Sequence, residues 1–142
     1  MRYGGFLVTR IKQVSGRVLE RILAERGVDA FNGPQGRILF VLWQKDGVPI
    51  SELSRATGLA MTSLTSMIDR MEASGLVRRD RSDKDRRKVL IYLTDEARDL
   101  EKDYDEVSAE MNSIFYQGFS EAEMEQLDGY LERVLANIEE RL

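Results

Sequence analysis

Apolar side chains near both ends of the chain recur every three or four positions, the spacing of one face of an α-helix. The first such series is Leu7, Ile11, Val14, Val18 and Ile22. It predicts an amphipathic helix over residues 5–26 that Gly27 ends. A second helix is expected after Asn32, which can cap its first turn, and the unbroken apolar run from Ile38 to Trp43 indicates that this helix is buried.

The last third of the chain predicts two further helices. Thr94 is expected to cap a long helix whose apolar face reaches Phe115, and Gly118 ends it. Ser120 and Glu123 have the spacing of a capping box at the start of the final helix. The apolar faces of the first and last helices are wider than a small core needs, which favours a homodimer. The alternative is that they pack on each other within one chain.

The middle of the chain, residues 51–94, has a different pattern. Val48 to Ile50 is at most a small strand, and Ser51 is expected to cap a short helix in which Leu53 and Ala56 face inward. Gly58 permits the tight turn that two packed helices need. A second helix of about residues 61–74 follows, and Gly75 ends it. Its inward positions are Leu64, Ile68 and Met71.

Two short strands, residues 76–79 and 89–93, follow that helix and enclose a polar loop. The basic residues of this stretch are Arg78, Arg79, Arg81, Lys84, Arg86, Arg87 and Lys88. A charge run is ordinarily a solvated surface loop, but here it follows a helix-turn-helix at the distance of a wing. The pattern therefore predicts a winged helix-turn-helix, with arginines at the wing tip that can enter a narrow minor groove.

The candidate DNA-binding residues lie on two elements. Those of the second helix are Thr62, Ser63, Thr65, Ser66 and Arg70, and those of the wing are Arg79, Arg86 and Arg87. Hydroxyls and arginines can donate to base edges and phosphates, and threonine can contact a thymine methyl group. Hydroxyls do not identify particular bases, so no operator follows from them, and a solvated polar face remains the alternative for the helix.

Charge is distributed unevenly along the 142 residues, whose net charge is −4. Residues 1–50 hold eight basic and four acidic residues. Residues 51–94 hold nine basic and six acidic residues, and residues 95–142 hold four basic and fifteen acidic residues. The middle would attract DNA and the last third would repel it. Because phosphate contacts are made by local patches, the local charge decides, and double-stranded DNA is the expected partner.

The residue types that are missing exclude several kinds of site. With no cysteine and no histidine, the chain has no disulfide, no thiol redox sensor, no zinc site of those ligands and no histidine-based catalysis. The carboxylates are scattered, so we expect neither an enzyme nor a cofactor. The longest apolar run is far shorter than the ~20 residues that span a bilayer, and the N-terminus has no signal-peptide pattern. A cytoplasmic protein without membrane contact is expected.

Residues 51–94 resemble the DNA-binding core of the MarR family of bacterial transcription regulators, and the flanking helices match that family's layout. The matching words are Leu53-Ser54, Gly58-Leu59, Leu64-Thr65, Asp69-Arg70-Met71-Glu72, Gly75-Leu76-Val77-Arg78-Arg79, Ser82, Asp85-Arg86-Arg87 and Leu93-Thr94. The Asp-Arg-Arg followed by Leu-Thr is the most specific. Met71 replaces a usual leucine, and Glu96-Ala97 replaces a usual Glu-Gly.

The resemblance implies a mainly α protomer of residues 1–142 with a small β-hairpin wing. A winged helix-turn-helix lobe at 33–94 would be flanked by dimerisation helices at 5–27 and 95–142. It also implies that Asp69 pairs with Arg86 or Arg87, for which we take Arg87, while the other arginine enters the minor groove.

The resemblance further implies a dimeric regulator, usually a repressor, that a small phenolic or aromatic effector releases from a pseudo-palindromic operator. Phe31, Phe40 and Trp43 could line the effector crevice, although an ordinary core position is the better explanation of each. The alternative function is a winged-helix protein-interaction module that does not bind DNA.

Overall fold

The structure is a computed structural model that describes all of residues 1–142. Its elements are α1 (Gly4–Glu25), α2 (Gly33–Gln44), β1 (Val48–Pro49), α3 (Ile50–Thr57), α4 (Met61–Ala73), β2 (Val77–Arg81), β3 (Val89–Leu93), α5 (Asp95–Arg98), α6 (Glu101–Phe115) and α7 (Glu121–Glu139). The prediction of a mainly helical winged helix-turn-helix is confirmed. The chain forms two compact units, residues 1–107 and 108–142.

The core of the first unit lies between α2, α3, α4 and the sheet. Its fully buried side chains include Ile38, Leu39, Leu42, Leu53, Leu64, Ile68, Met71 and Ile91. The predicted inner face of α4 is therefore confirmed. The predicted burial of α2 is confirmed on one face only, because Phe40 is exposed. The prediction for Ala56 was wrong, because it is exposed and Thr57 is buried in its place. Burial of Thr57 is tolerated because its hydroxyl donates to Leu53 O at 2.6 Å.

Three of the four predicted helix caps are present. Asn32 and Ser120 each form a complete capping box, and the side chain of Thr94 accepts a hydrogen bond from the Ala97 N–H. Ser51 does not cap α3, because that helix already begins at Ile50. Pro49 occupies the cap position in an extended conformation and pairs with Leu90 in the sheet, which brings the helix start forward.

The three strands form one antiparallel sheet in the order β1-β3-β2. Val48 of β1 and Arg79 of β2 flank Ile91 of β3, while Arg78 lies opposite Tyr92. Since side chains alternate between faces along a strand, Arg79 shares the face of the buried Ile91. This register decides which wing arginine can reach α4.

The helix predicted to run on from Thr94 is not continuous. It ends as α5 at Arg98 and resumes as α6 at Glu101. Neither Asp99 nor Leu100 is glycine or proline, the residues that most strongly disfavour a helix, and the Trp43 indole donates a hydrogen bond to Ala97 O next to the interruption.

The second unit, residues 108–142, holds the end of α6 and the whole of α7. The Tyr116 hydroxyl donates to Asp128, and this hydrogen bond raises the pKa of Tyr116. No residue of α7 is buried. Its exposed large apolar side chains are Tyr130, Leu131, Val134, Leu135 and Ile138. In the first unit, the early turns of α1 likewise expose Phe6, Leu7, Val8, Ile11 and Val14. No helix of the chain combines the length and the apolar character that crossing a membrane requires.

Candidate nucleic-acid interface

The turn between α3 and α4 is fixed by its own hydrogen bonds. Gly58 has a φ of +76°, a left-handed conformation that glycine adopts without a steric penalty. The Ser54 hydroxyl donates to Leu59 O at 2.6 Å, and the Leu59 N–H donates to the Thr57 hydroxyl at 3.2 Å. These bonds define how α4 leaves the turn, and so they set the direction of the predicted recognition helix.

The two faces of α4 have different surroundings. The buried face consists of Leu64, Met67, Ile68 and Met71. The predicted DNA-facing side chains Thr62, Ser63, Thr65, Ser66 and Arg70 are all exposed. The sequence analysis did not name Met67, although it stands three residues after Leu64 and four before Met71, spacings that place it on the same face.

The N-terminus of α4 is open. Ala60 occupies its N-cap position, and no side chain there accepts a hydrogen bond from the first turn. The Thr65 hydroxyl donates to Met61 O at 2.9 Å, so its proton is engaged within the helix. The first-turn N–H groups of an uncapped helix can bind a phosphate, and the helix dipole favours an anion at this end.

The wing tip, residues 82–88, is a loop organised by two side chains. The Ser82 hydroxyl accepts from the N–H groups of Lys84 and Asp85 at 3.2 and 3.3 Å. Asp85 Oδ1 accepts from the Arg87 N–H at 3.0 Å and from Arg87 Nε at 3.2 Å. Both hydrogen bonds from Arg87 lower the pKa of Asp85, and the bond from the backbone N–H has the larger effect.

The loop presents its two central arginines to solvent. The Arg87 side chain is 92% exposed, and Arg86 is also exposed. The Arg86 carbonyl accepts a hydrogen bond from Arg81 Nη1 at 2.8 Å, which fixes the backbone at the tip. Two solvent-exposed guanidinium groups, of which that of Arg87 is bonded only through Nε to Asp85, therefore project from an ordered backbone, which lowers the entropic cost of placing them against DNA.

The salt bridge between wing and recognition helix differs from the prediction. Asp69 pairs with Arg79 at 2.6 Å, whereas Arg87 pairs with Asp85. The cause is the register of the sheet, which places Arg79 on the face towards α4. Arg87 lies outside the strands, and Asp85 is its near neighbour in the loop. The expected pair of Asp69 with Arg87 is thus corrected to Asp69 with Arg79.

Arg79 is held by a second carboxylate as well. Its Nη1 donates to Glu72 Oε1 at 2.7 Å, and its backbone N–H donates to Glu72 Oε2 at 3.2 Å. The hydrogen bond to Asp69 is the largest cause of a raised pKa of Arg79, and Glu72 adds to it. The side chain is 29% exposed. These contacts, which we call the Arg79 clamp, join the first wing strand to α4 and leave Arg79 less available to DNA than Arg86 or Arg87.

An aromatic cluster forms around Tyr104 of α6. Its ring centroid lies 5.3 Å from Trp43, 5.7 Å from Phe40 and 6.2 Å from Phe31. Phe31 is buried and Phe40 is exposed. The three residues predicted as candidates for an effector crevice are thus neighbours, although Phe31 belongs to the core.

Comparison with known proteins gives a family and several relatives. Residues 31–89 match the model of the MarR family. The HTH-type transcriptional regulator TtmR from Methylorubrum extorquens is 37% identical over 95 residues, which are 67% of this chain and 47% of TtmR. MgrA from Staphylococcus aureus is 27% identical over 107 residues, 75% of this chain and 71% of MgrA. The chain spans less than half of TtmR and less than half of another curated relative, YfiV from Bacillus subtilis.

Solved structures share the fold over nearly the whole chain. A MarR transcriptional regulator from Methanosarcina mazei has a TM-score of 0.83 at 21% identity and covers 97% of both chains. A mutant MarR from E. coli complexed with operator DNA has a TM-score of 0.82 at 23% identity, covering 92% of each chain. The DNA binding of BpsR from Bordetella bronchiseptica is regulated by 6-hydroxynicotinic acid. Its structure has a TM-score of 0.83 at 21% identity, and the match covers 95% of this chain and 94% of BpsR.

Proposed function

Because the chain belongs to the MarR family, we propose that it is a DNA-binding transcription regulator of the cytoplasm. In this proposal a homodimer represses transcription by occupying a pseudo-palindromic operator. A small effector, aromatic or phenolic, releases it. The wing carries the proposal, because an ordered loop presents Arg86 and Arg87 to solvent, and the open N-terminus of α4 supports it.

Each element of the interface has a distinct role in this proposal. The exposed hydroxyls of α4 and Arg70 enter the major groove, where they contact base edges and phosphates. Arg86 and Arg87 reach the adjacent minor groove, where the negative potential is strongest. Arg79 fixes the wing to α4 and does not itself read DNA. Support for a DNA partner also comes from E. coli MarR, which has this fold and was solved with operator DNA.

The proposed dimer uses the helical regions 5–27 and 95–142. Exposed apolar side chains are numerous there, with Phe6 63% and Ile138 63% exposed. Helix faces with this many exposed apolar side chains are typical of an interface, and a second copy of the chain is the partner that we propose. Two recognition helices in such a dimer would meet half-sites about one helical turn apart, roughly 10 base pairs.

The proposed effector is a small aromatic molecule that favours a dimer whose recognition helices are wrongly spaced. Phe40 and Trp43 supply aromatic surface that such a molecule could stack on. BpsR, which has the same fold, is regulated by 6-hydroxynicotinic acid. We assign no effector to this chain.

The test is a fluorescence-anisotropy titration of the protein against labelled DNA from upstream of its own gene, with scrambled DNA of the same length and composition as the control. Tight binding that scrambled DNA does not reproduce is the expected result, and sedimentation of the complex should give two protein chains per duplex. If a genome-wide selection of bound fragments yielded no enriched site, the interaction module without DNA binding would be the better reading.

A further inference from the structure

The interruption between α5 and α6 has no cause in the local sequence. The intervening residues are Asp99 and Leu100, and the first residue of α6 is Glu101. None of these is glycine or proline. Asp99 has a low helix propensity, although it costs a helix less than glycine does, while leucine and glutamate are good helix formers. Since helix breaks without Gly or Pro generally come from a side chain or water that enters the backbone hydrogen-bond ladder, the cause should be a contact from elsewhere in the fold.

That contact is the indole of Trp43. Its Nε1 donates to Ala97 O at 3.0 Å, across 54 positions of sequence. In a continuous α-helix this carbonyl would accept from the N–H of Glu101. Here it accepts instead from the indole and, at 3.3 Å, from the Leu100 N–H, a bond of the tighter 3₁₀ type. Ala97 is fully buried. Because water does not reach this residue, the indole N–H supplies a hydrogen bond that solvent cannot give to Ala97 O.

Trp43 also contacts the far side of the break. Its ring packs edge-on against Tyr104 of α6, with centroids 5.3 Å apart. One side chain therefore bonds to α5 through its N–H and packs on α6 through its ring. The residue itself belongs to α2, whose inner face is part of the core.

The short helix α5 is anchored to the base of the wing. The Thr94 hydroxyl donates to Gly75 O at 2.7 Å, at the C-terminal end of the recognition helix. Arg98 Nη2 donates to Asp46 Oδ2 at 2.7 Å, and the other oxygen of Asp46 accepts from the Leu93 N–H at 2.8 Å. These bonds hold α5 to the lobe, so the break next to Trp43 is the point at which the chain passes from this anchored segment into α6.

We propose that Trp43 is a positioning residue, which holds the break between α5 and α6 open and so sets the direction in which α6 leaves the DNA-binding lobe. The inference rests on the proposed function, because α6 leads into the helices proposed to form the dimer. In a dimer, the direction of α6 fixes the spacing of two recognition helices, and operator affinity depends on that spacing. Without the indole N–H, Ala97 O is free to accept from Glu101, and the two helices can join.

The experiment replaces one atom. Trp43 is the only tryptophan, so β-(3-benzothienyl)alanine incorporated in place of tryptophan changes the indole N–H to sulfur at this site alone and keeps the ring shape. Backbone amide exchange of residues 99–101 and operator affinity are then measured on the full chain. We expect exchange at Glu101 to slow by about fivefold, the equilibrium effect of one neutral hydrogen bond, and operator affinity to fall by a similar factor.

Tyr104→Phe is the matched control, because it removes a hydroxyl from the same cluster and leaves the indole bond in place. It should change neither quantity. Unchanged exchange at residues 99–101 in the sulfur analogue would overturn the proposal, and so would slower exchange with unchanged operator affinity. Failure of the proposed function would be seen separately, since the unmodified protein would then bind its operator no better than scrambled DNA.

Discussion

At the scale of single residues, the Arg79 clamp separates two effects that a carboxylate near DNA can have. Glu72 is a negative charge on the recognition helix, so simple electrostatics predicts that removing it tightens DNA binding. As part of the clamp, however, it holds the first wing strand through both the guanidinium and the backbone N–H of Arg79. The two roles therefore predict opposite effects on DNA affinity when the charge of Glu72 is removed.

We expect Glu72→Gln to weaken operator binding by roughly threefold, which corresponds to an exposed ion pair of about 0.6 kcal/mol. The measurement is an anisotropy titration at fixed salt. Asp83→Asn is the matched control, because it removes the same charge from the wing loop outside the clamp and should tighten binding slightly. If both variants bound more tightly than the wild type, the clamp would have no positioning role.

The three wing arginines should differ in how they change the salt dependence of binding. Each phosphate that an arginine neutralises contributes about 0.9 to the slope of log affinity against log salt concentration. We expect the double variant Arg86→Gln with Arg87→Gln to lower the slope by up to about 1.8. Arg79→Gln should lower affinity and leave the slope unchanged. An equal loss of slope in Arg79→Gln would place that guanidinium on DNA and contradict its assignment to the clamp.

Sequence reasoning identified these arginines but paired one of them wrongly. The spacing of the charge run showed that a wing was present, and periodicity gave the buried face of α4. The pairing of Asp69 depends on the register of β2 against β3, which sets Arg79 opposite Ile91. Nothing local in the sequence fixes that register, because the loop between the strands has seven residues and no glycine. Thr57 was missed for a similar reason, since its burial depends on bonds formed only in the folded turn.

At the scale of elements, the wing loop should keep its shape in moderately acidic solution. Hydrogen bonds from the N–H and side chain of Arg87 lower the pKa of Asp85 from its ordinary value. A carboxyl whose folded-state pKa is depressed contributes stability above its unfolded pKa, and this contribution is lost as pH falls through the folded pKa. The loop should therefore lose these bonds only at a pH below the usual range of aspartate titration.

The check is a pH titration followed by the amide chemical shift of Arg87. The shift should move with a midpoint below the ordinary aspartate value, and in Asp85→Asn that transition should be absent. A midpoint at the ordinary value would show that the Asp85 bonds do not persist in solution.

The interrupted helix after Thr94 shows the limit of local patterns for whole elements. Periodicity correctly gave the Thr94 cap and the apolar face of α6, because both depend on neighbours in sequence. The break at residues 99 and 100 lies next to the hydrogen bond from Trp43, which is 54 positions from Ala97. The prediction of a continuous helix was wrong, because propensity reports only on neighbours in sequence, whereas the cause that we propose for the break is a tertiary hydrogen bond.

At the scale of the whole molecule, charge and apolar surface are divided along the chain. Residues 51–94 have three more basic than acidic residues, while residues 95–142 have four basic and fifteen acidic ones. The basic middle contains α4 and the wing, and the acidic part contains α7, which has no buried residue. This division suits a protein that presents one surface to phosphate and keeps another for a protein partner.

The dimer proposal predicts that a single charge on the apolar face of α7 abolishes both association and operator binding. Leu135 is 58% exposed in the isolated chain, so Leu135→Glu should cost the monomer little stability. In a dimer the same carboxylate would be buried against apolar side chains and would prevent association. Sedimentation should then give a monomer, and operator affinity should fall by at least about a hundredfold because only one recognition helix can engage.

Gln126→Glu is the control for this substitution. It adds the same charge to α7 nine positions away, which at about 100° per residue is the opposite side of the helix. It should leave the dimer and the affinity intact. Circular dichroism should show that both variants are folded. If Leu135→Glu sedimented as a dimer with normal operator affinity, the apolar face of α7 would not be the interface, and the exposed face of α1 would be the next candidate.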